Sequence, residues 1–236
     1  MRRRPLLQFA AASAGTLAAP GLPRPSFAQG RGLTITWGED DTAARTYDPR
    51  ITQSRHESQV IVQVFDTLVG SDENARFFPG LATDWDVAAD GLSVTLNLRS
   101  DVQFHDGTPF DAEAVKFTFD TVADPRTASQ AAVDLLGPYE RSEILGPHRI
   151  RVHYSRPYAA AIASFSQNEL SIVSPTAVRR LGDAGFAAAP VGTGPFRFAN
   201  WERGRQVVLE RFDAYNWAPG FSQHQDVAAT LQRGGY

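Results

Sequence analysis

Cysteine is absent from the 236 residues, which excludes disulfide frameworks, thiolate metal sites and cysteine nucleophiles in one step. It also leaves no residue to carry the lipid that tethers many exported bacterial proteins. Lysine is nearly absent: of 23 basic residues only Lys116 is lysine. With Ala, Gly, Pro and Arg plentiful, that skew reads as GC-rich coding, so most arginines need no arginine-specific role. Positive charge is not in excess either, and a net charge of −3 argues against a nucleic-acid-binding surface. No Gly-x-Ser-x-Gly elbow marks a serine hydrolase. None of His56, His105, His148, His153 and His224 forms the i, i+4 pair with a glutamate that metalloproteases use.

What is present suits a folded chain. Hydrophobic residues make up 42% and charged residues 21%, enough for a buried core and at odds with low-complexity disorder. As a prior, the length fits one large domain or two modest ones.

Arg2-Arg3-Arg4-Pro5 opens the chain, ahead of a weakly apolar stretch from Leu6 to Ala19, a Pro/Gly break and Ser26-Phe27-Ala28. Basic, apolar and small-residue regions in that order predict a signal peptide over 1–28, cleaved after Ala28. The apolar stretch is too short for a membrane span. Arg3-Arg4-x-Leu6-Leu7 resembles a twin-arginine export signal; an ordinary export signal with an arginine cluster is the other reading. Removing Arg2, Arg3, Arg4 and Arg24 leaves 19 basic against 26 acidic side chains, net −7. The expected mature protein is free in the periplasm, without a membrane anchor and without a cofactor.

Along the mature chain, Leu33–Trp37 alternates like a strand. Ser54-x-x-Glu57 has capping-box form, followed by Val60, Val64, Leu68 with Ile61, Phe65 on one helical face, and Gly70 as the expected stop. Asp90-Gly91 signals a hairpin turn ahead of alternating Val94, Leu96 and Leu98. Asp111 is placed to cap a helix that Asp124-Pro125 closes. Ile150, Val152 and Tyr154 alternate as a half-buried strand. Ser174-Pro175 reads as a cap with proline at the first helical position, and Gly182 as its stop. Two more strands are expected around Arg203-Gly204-Arg205. Periodicity alone therefore predicts an exported α+β protein.

The segment Ser93–Val115 has a definite order: an amphipathic strand, a tight Asp106-Gly107 turn, Pro109 fixing the exit, and Asp111 capping the next helix. This block closely resembles the signature of family 5 extracellular solute-binding proteins, through Arg99, Phe104, His105, Asp106, Gly107, Pro109 and Phe110. Further blocks follow in the family's order: Tyr47-Asp48-Pro49, Val64–Val69, Pro79–Trp85, Pro190–Phe196, Trp201-x-x-Gly204 and Glu210–Asn216.

The resemblance implies one lobe, with an extra subdomain, of a two-lobed receptor of the periplasmic binding protein type II-like fold. Residues 29–53 and 167–236 would form the first-lobe subdomain and 54–166 the extra subdomain. The implied activity is capture of a peptide or related small polar solute by lobe closure, for delivery to an ABC permease in the inner membrane, without catalysis. The family's pattern continues past Trp217 into a second lobe, which this sequence does not show. A truncated or frameshifted remnant is therefore one alternative, and an exported α+β hydrolase is another. Sub-micromolar peptide affinity is not expected from one lobe.

His105-Asp106-Gly107 is best explained as a turn needing positive φ at glycine. The ligand-facing candidates are the acidic loop Glu39-Asp40-Asp41 with Tyr47, and the backbone of Gly192-Thr193-Gly194. The loop's carboxylates could meet a solute's amine; a solvated turn is the alternative reading. No metal-binding residues are expected, and Trp37, Trp85, Trp201 and Trp217 read as packing residues.

Overall fold

In the computed structural model, residues 44–217 are described; the Leu33–Trp37 strand lies outside them. The elements in chain order are α1 (Arg55–Val64), β1 (Val69–Ser71), β2 (Phe77–Pro79), β3 (Ala82–Val87), β4 (Ser93–Leu98), α2 (Ala112–Ala123) and α3 (Ala131–Leu136). They continue with β5 (Tyr139–Gly146), β6 (Arg149–Tyr154), α4 (Ala161–Ser164), α5 (Pro175–Ala188), β7 (Phe196–Glu202) and β8 (Gln206–Arg211).

Alternation in β4 and β6 puts Val94 opposite Val152 and Leu96 opposite Ile150, all buried. Side chains two apart share a face of a strand, so these four make one apolar patch. The antiparallel sheet has the order β3-β4-β6-β5. Val115, Phe119 and Val122 of α2 join the same apolar core, where Phe119 also stacks on Phe165 with ring centroids 5.5 Å apart. At the start of β4, Gly91 turns the expected hairpin with φ +67°.

A second core gathers Val60, Ile61, Val64 and Phe65 around α1 with Val178 and Phe186 of α5, and Tyr47. Phe198, Trp201, Val207 and Leu209 of the two-stranded β7–β8 hairpin pack against it. The first core is built largely from residues 68–172, and Trp217 closes onto it. Helix α1 thus sides with the residues after 172, although it falls inside the 54–166 span.

The caps work as local chemistry predicts, with one exception. Asp111 accepts from the Ala114 N–H at 3.0 Å, and Ser174 accepts from the Ala177 N–H at 3.1 Å with Pro175 at the first position. Asp111→Ala is expected to cost about 1 kcal/mol, seen as a melting temperature lower by roughly 2–4 °C in calorimetry.

At α1, Ser54 caps the His56 N–H at 3.2 Å, but Glu57 does not complete a capping box. Its carboxylate turns to the incoming chain, accepting from the Arg45 and Thr46 N–H groups and from the Thr52 hydroxyl, at 2.7, 3.2 and 2.6 Å.

Gly70 is not the stop of α1 either. The helix ends at Val64, Phe65 is already extended, and Gly70 lies within β1. Gly182 does interrupt α5: its φ of +67° breaks the helical path, and a further turn follows to Ala188.

Candidate ligand-facing turn and its supports

The Gly192-Thr193-Gly194 turn enters β7, and all three residues are buried. It lies against the C-terminal end of α1, where helix carbonyls have no partner within the helix. The Gly194 N–H donates to the Val64 carbonyl at 2.9 Å. A Cβ on Gly192 would stand 2.2 Å from that carbonyl oxygen, and one on Gly194 would stand 2.7 Å from the Gln63 carbonyl oxygen. Both glycines are therefore required by the approach of one backbone to another.

Thr193, fully buried, donates its hydroxyl to Asp66 Oδ2 at 2.9 Å. Asp66 also accepts from the Tyr215 hydroxyl at 3.2 Å and from Trp217 Nε1 at 3.1 Å. One carboxylate thus gathers the α1–β1 junction, the glycine turn and the segment after β8. Burial, reinforced by the Asp66 charge, pushes the Tyr215 phenol well above its usual range, so it stays a donor.

His105 holds the turn from the other side. Its N–H donates to the Gly192 carbonyl at 2.9 Å, Nε2 lies 2.9 Å from the Gly194 carbonyl oxygen, and the Gly192 N–H reaches Nδ1 at 3.4 Å. Its ring meets Phe212 edge-on at 4.9 Å. Burial brings the imidazole down to about 4, with Arg197 adding to the shift; the Gly194 carbonyl and Asp106 oppose it.

Beside it, Asp106 accepts from the Thr108 N–H and hydroxyl at 3.1 and 2.6 Å and from the Ser174 hydroxyl at 2.7 Å. Burial works to raise its carboxyl, but the hydrogen bonds from Thr108 and Ser174 outweigh it and hold the group below its ordinary range.

A serine, a histidine and an aspartate therefore lie close together without the contacts of a nucleophile. The Ser174 hydroxyl donates to Asp106, not to His105, and both imidazole nitrogens are engaged by the glycine turn. Activation of the hydroxyl by the imidazole needs a direct contact between the two, and Ser174 makes none with His105. The arrangement positions backbone. Among the described residues no group of three or more acidic or histidine side chains could hold a metal ion.

The remaining candidates fall as follows. Glu39, Asp40 and Asp41 lie outside the described residues. Tyr47, expected to face a ligand, is instead 1% exposed, its ring 4.7 Å from that of Trp201 and 5.6 Å from Phe198. An aromatic side chain next to an apolar helix face finds more to bury inward than outward, and that draws Tyr47 into the second core.

Within the signature block, Phe104 and Phe110 are buried edge-to-face at 6.4 Å, and Gly107 has φ +81°. Pro109 bridges to Gln103, and Arg99 pairs with Asp101 at 2.9 Å. A surface depression of about 490 Å³, lined by Asp111, Glu113 and Ile144–Pro147 among others, shares none of the turn's residues. The role of Asp66 is not visible from spacing, because its partners lie 127 to 151 positions away.

The model for "bacterial extracellular solute-binding proteins, family 5 Middle" matches residues 76–230. The glutathione-binding protein GsiB of Shigella flexneri is 30% identical over 189 residues, which is 80% of this chain and 36% of that protein. Among solved structures, NikZ from Campylobacter jejuni in complex with Ni(L-His) aligns with TM-score 0.65 and 26% identity, over 80% of this chain and 39% of that one. The ABC transporter-associated periplasmic binding protein DppA from Helicobacter pylori, in complex with the peptide STSA, aligns with TM-score 0.66 and 25% identity. That match covers 81% of this chain and 43% of DppA. The chain thus spans about a third of the length of the curated relatives it matches. The fold is part of the type II periplasmic binding protein fold. From the family model and these likenesses together, the chain belongs to the bacterial extracellular solute-binding proteins, family 5.

Proposed function

We propose that this chain is the solute-binding part of a periplasmic receptor for an ABC importer, taking peptides or related small polar solutes. Family membership over most of the described residues is the observation that carries the reading. The names of its relatives point the same way, since they bind glutathione, a tetrapeptide and a nickel–histidine complex. The commitment of Ser174, His105 and Asp106 to backbone support agrees with a protein that binds without breaking bonds.

On this reading, residues 1–28 direct export by the twin-arginine route and are cleaved after Ala28. Residues 29–53 with 167–236, and residues 54–166, are the proposed two subdomains of one lobe, with α1 packing on the first of them. Solute held against this lobe favours a closed state only to the extent of its differential affinity for that state. The Glu39-Asp40-Asp41 carboxylates are the proposed partners of a solute's amine. The backbone of the Gly192–Gly194 turn is the second proposed contact to the solute.

Calorimetric titration of the purified chain with reduced glutathione and a dipeptide panel at millimolar concentrations tests this. Saturable heat from at least one solute, with that solute recovered unchanged, is expected. No saturable binding across the panel, or conversion of a bound solute to product, would overturn the reading.

A further inference from the structure

We propose that His105 is a proton-operated clasp: the neutral ring holds the Gly192–Gly194 turn and the adjoining β7–β8 hairpin in place, and the protonated ring releases them. This goes beyond solute capture and requires no ligand.

The geometry admits a single protonation state. The Gly192 N–H pointing at Nδ1 requires a lone pair there, and the Gly194 carbonyl oxygen 2.9 Å from Nε2 requires a hydrogen there. Only the neutral Nε2–H tautomer satisfies both. A second proton places an N–H on Nδ1 facing the N–H of Gly192, and it puts a full charge where water has little access.

The charged groups facing the ring are few. Asp106, in the same turn, attracts the new charge, but it is already committed to Thr108 and Ser174 and stands near Arg180. Arg197, on β7, repels it. The glycine turn and Phe212 bring no charge. Burial decides the balance, and the ring stays neutral down to about pH 4.

Expulsion of the ring reaches both ends of the hairpin. Gly194 leads through Pro195 into β7. Phe212, which follows β8, loses the imidazole against its ring and keeps its N–H to the Pro195 carbonyl at 2.8 Å and its edge contact with Trp217 at 6.1 Å. Among the described residues β7 and β8 pair only with each other, so their opening breaks no larger sheet, and what it must undo is the packing of Phe198, Trp201, Val207 and Leu209 on the second core.

The sign follows from the depressed value. With the closed form titrating at about 4 and the open form near 6.5, the clasp is at full strength above about pH 6.5 and weakens as pH falls towards 4. Over that window the opening constant rises about a hundredfold. For a protein delivered outside the cytoplasm, as proposed above, the trigger is the acidity of the surroundings.

Nitrogen-15 NMR of the whole chain, with amide exchange corrected for intrinsic rates, tests the proposal between pH 3.5 and 7. His105 is expected as the Nε2–H tautomer at pH 7, titrating near 4. Protection of Gly192, Gly194 and the Phe196–Arg211 amides should fall about a hundredfold between about pH 6.5 and pH 4, while β3, β4, β5 and β6 keep theirs. Arg197→Gln removes the repelling charge and should move the midpoint up. His105→Gln offers an acceptor and a donor without titrating, and should keep hairpin protection level across the range. A His105 midpoint near 6.5, uniform loss over both sheets, or the same fall in His105→Gln would each overturn the clasp. Should His105→Gln fail to fold, the wild-type and Arg197→Gln titrations decide.

Discussion

Gly192→Ala and Gly194→Ala are each expected to cost about 3–5 kcal/mol, leaving a chain that melts some 10 °C lower or does not fold. A methyl group on Gly192 would stand 2.2 Å from the Val64 carbonyl oxygen, and one on Gly194 within 2.8 Å of three backbone atoms of residues 63–65. Flexible side chains can swing away from such a contact, but these neighbours are the last turn of α1 and cannot. The turn must lift off, and with it go the Gly194 N–H to Val64 bond, the Thr193–Asp66 bond and the contacts of His105. Gly146→Ala is the control, since a Cβ there meets nothing within 4 Å and its φ lies outside the left-handed region. It is expected to change stability by less than about 0.5 kcal/mol. Thermal and urea unfolding of the three variants beside the wild type checks this. Tolerance of alanine at both 192 and 194 would mean the turn does not press on α1.

The same contact explains why some of the fold is legible in the sequence and some is not. The Asp111 and Ser174 caps, the Gly91 turn and the Gly204 turn depend on residues within four positions, so spacing alone locates them. The end of α1 does not. Val64, Leu68 and Phe65 keep helical spacing, yet the chain leaves the helix at Phe65, where Gly194 caps the Val64 carbonyl from 130 positions away. Strand β5 carries no alternation to read: of its residues only Ser142 is buried, because it lies at a sheet edge with one face open. At the candidate site, Gly192-x-Gly194 stands out as a rigid turn, and family likeness draws attention to it. What makes it rigid is tertiary. Asp66 and Tyr215 fall within the blocks that carry the family likeness, but with Trp217 they acquire their roles only when three distant blocks meet at one carboxylate. Tyr47 shows the converse: a plausible ligand contact by position, taken by the core.

The second large effect is expected at Asp48 and Arg50, 0% and 1% exposed. Arg50 approaches Asp48 through Nε at 3.1 and 3.2 Å and Nη2 at 2.7 Å, while its N–H donates to Oδ1 at 3.0 Å. Burial works to lower the guanidinium, but the bonds and charge of Asp48, with Asp183 beyond, raise it, so Arg50 stays charged. Taking two charges out of water is nearly balanced by their mutual attraction, so the pair need contribute little net stability; removing one partner leaves the other buried and uncompensated. Arg50→Met and Asp48→Asn should therefore each cost about 3–5 kcal/mol. Asp183→Asn, at a side chain 67% exposed, should cost under about 1 kcal/mol. The diagnostic variant is the double, Asp48→Asn with Arg50→Met. It removes both charges, so its loss should fall short of the two single losses combined by at least about 2 kcal/mol. Equilibrium urea unfolding of the four proteins gives that coupling directly, provided their denaturant slopes agree. Additive losses would show that Asp48 and Arg50 act separately, Asp48 through the backbone of the turn it closes and Arg50 through its packing over Phe186, 5.5 Å from the ring centroid.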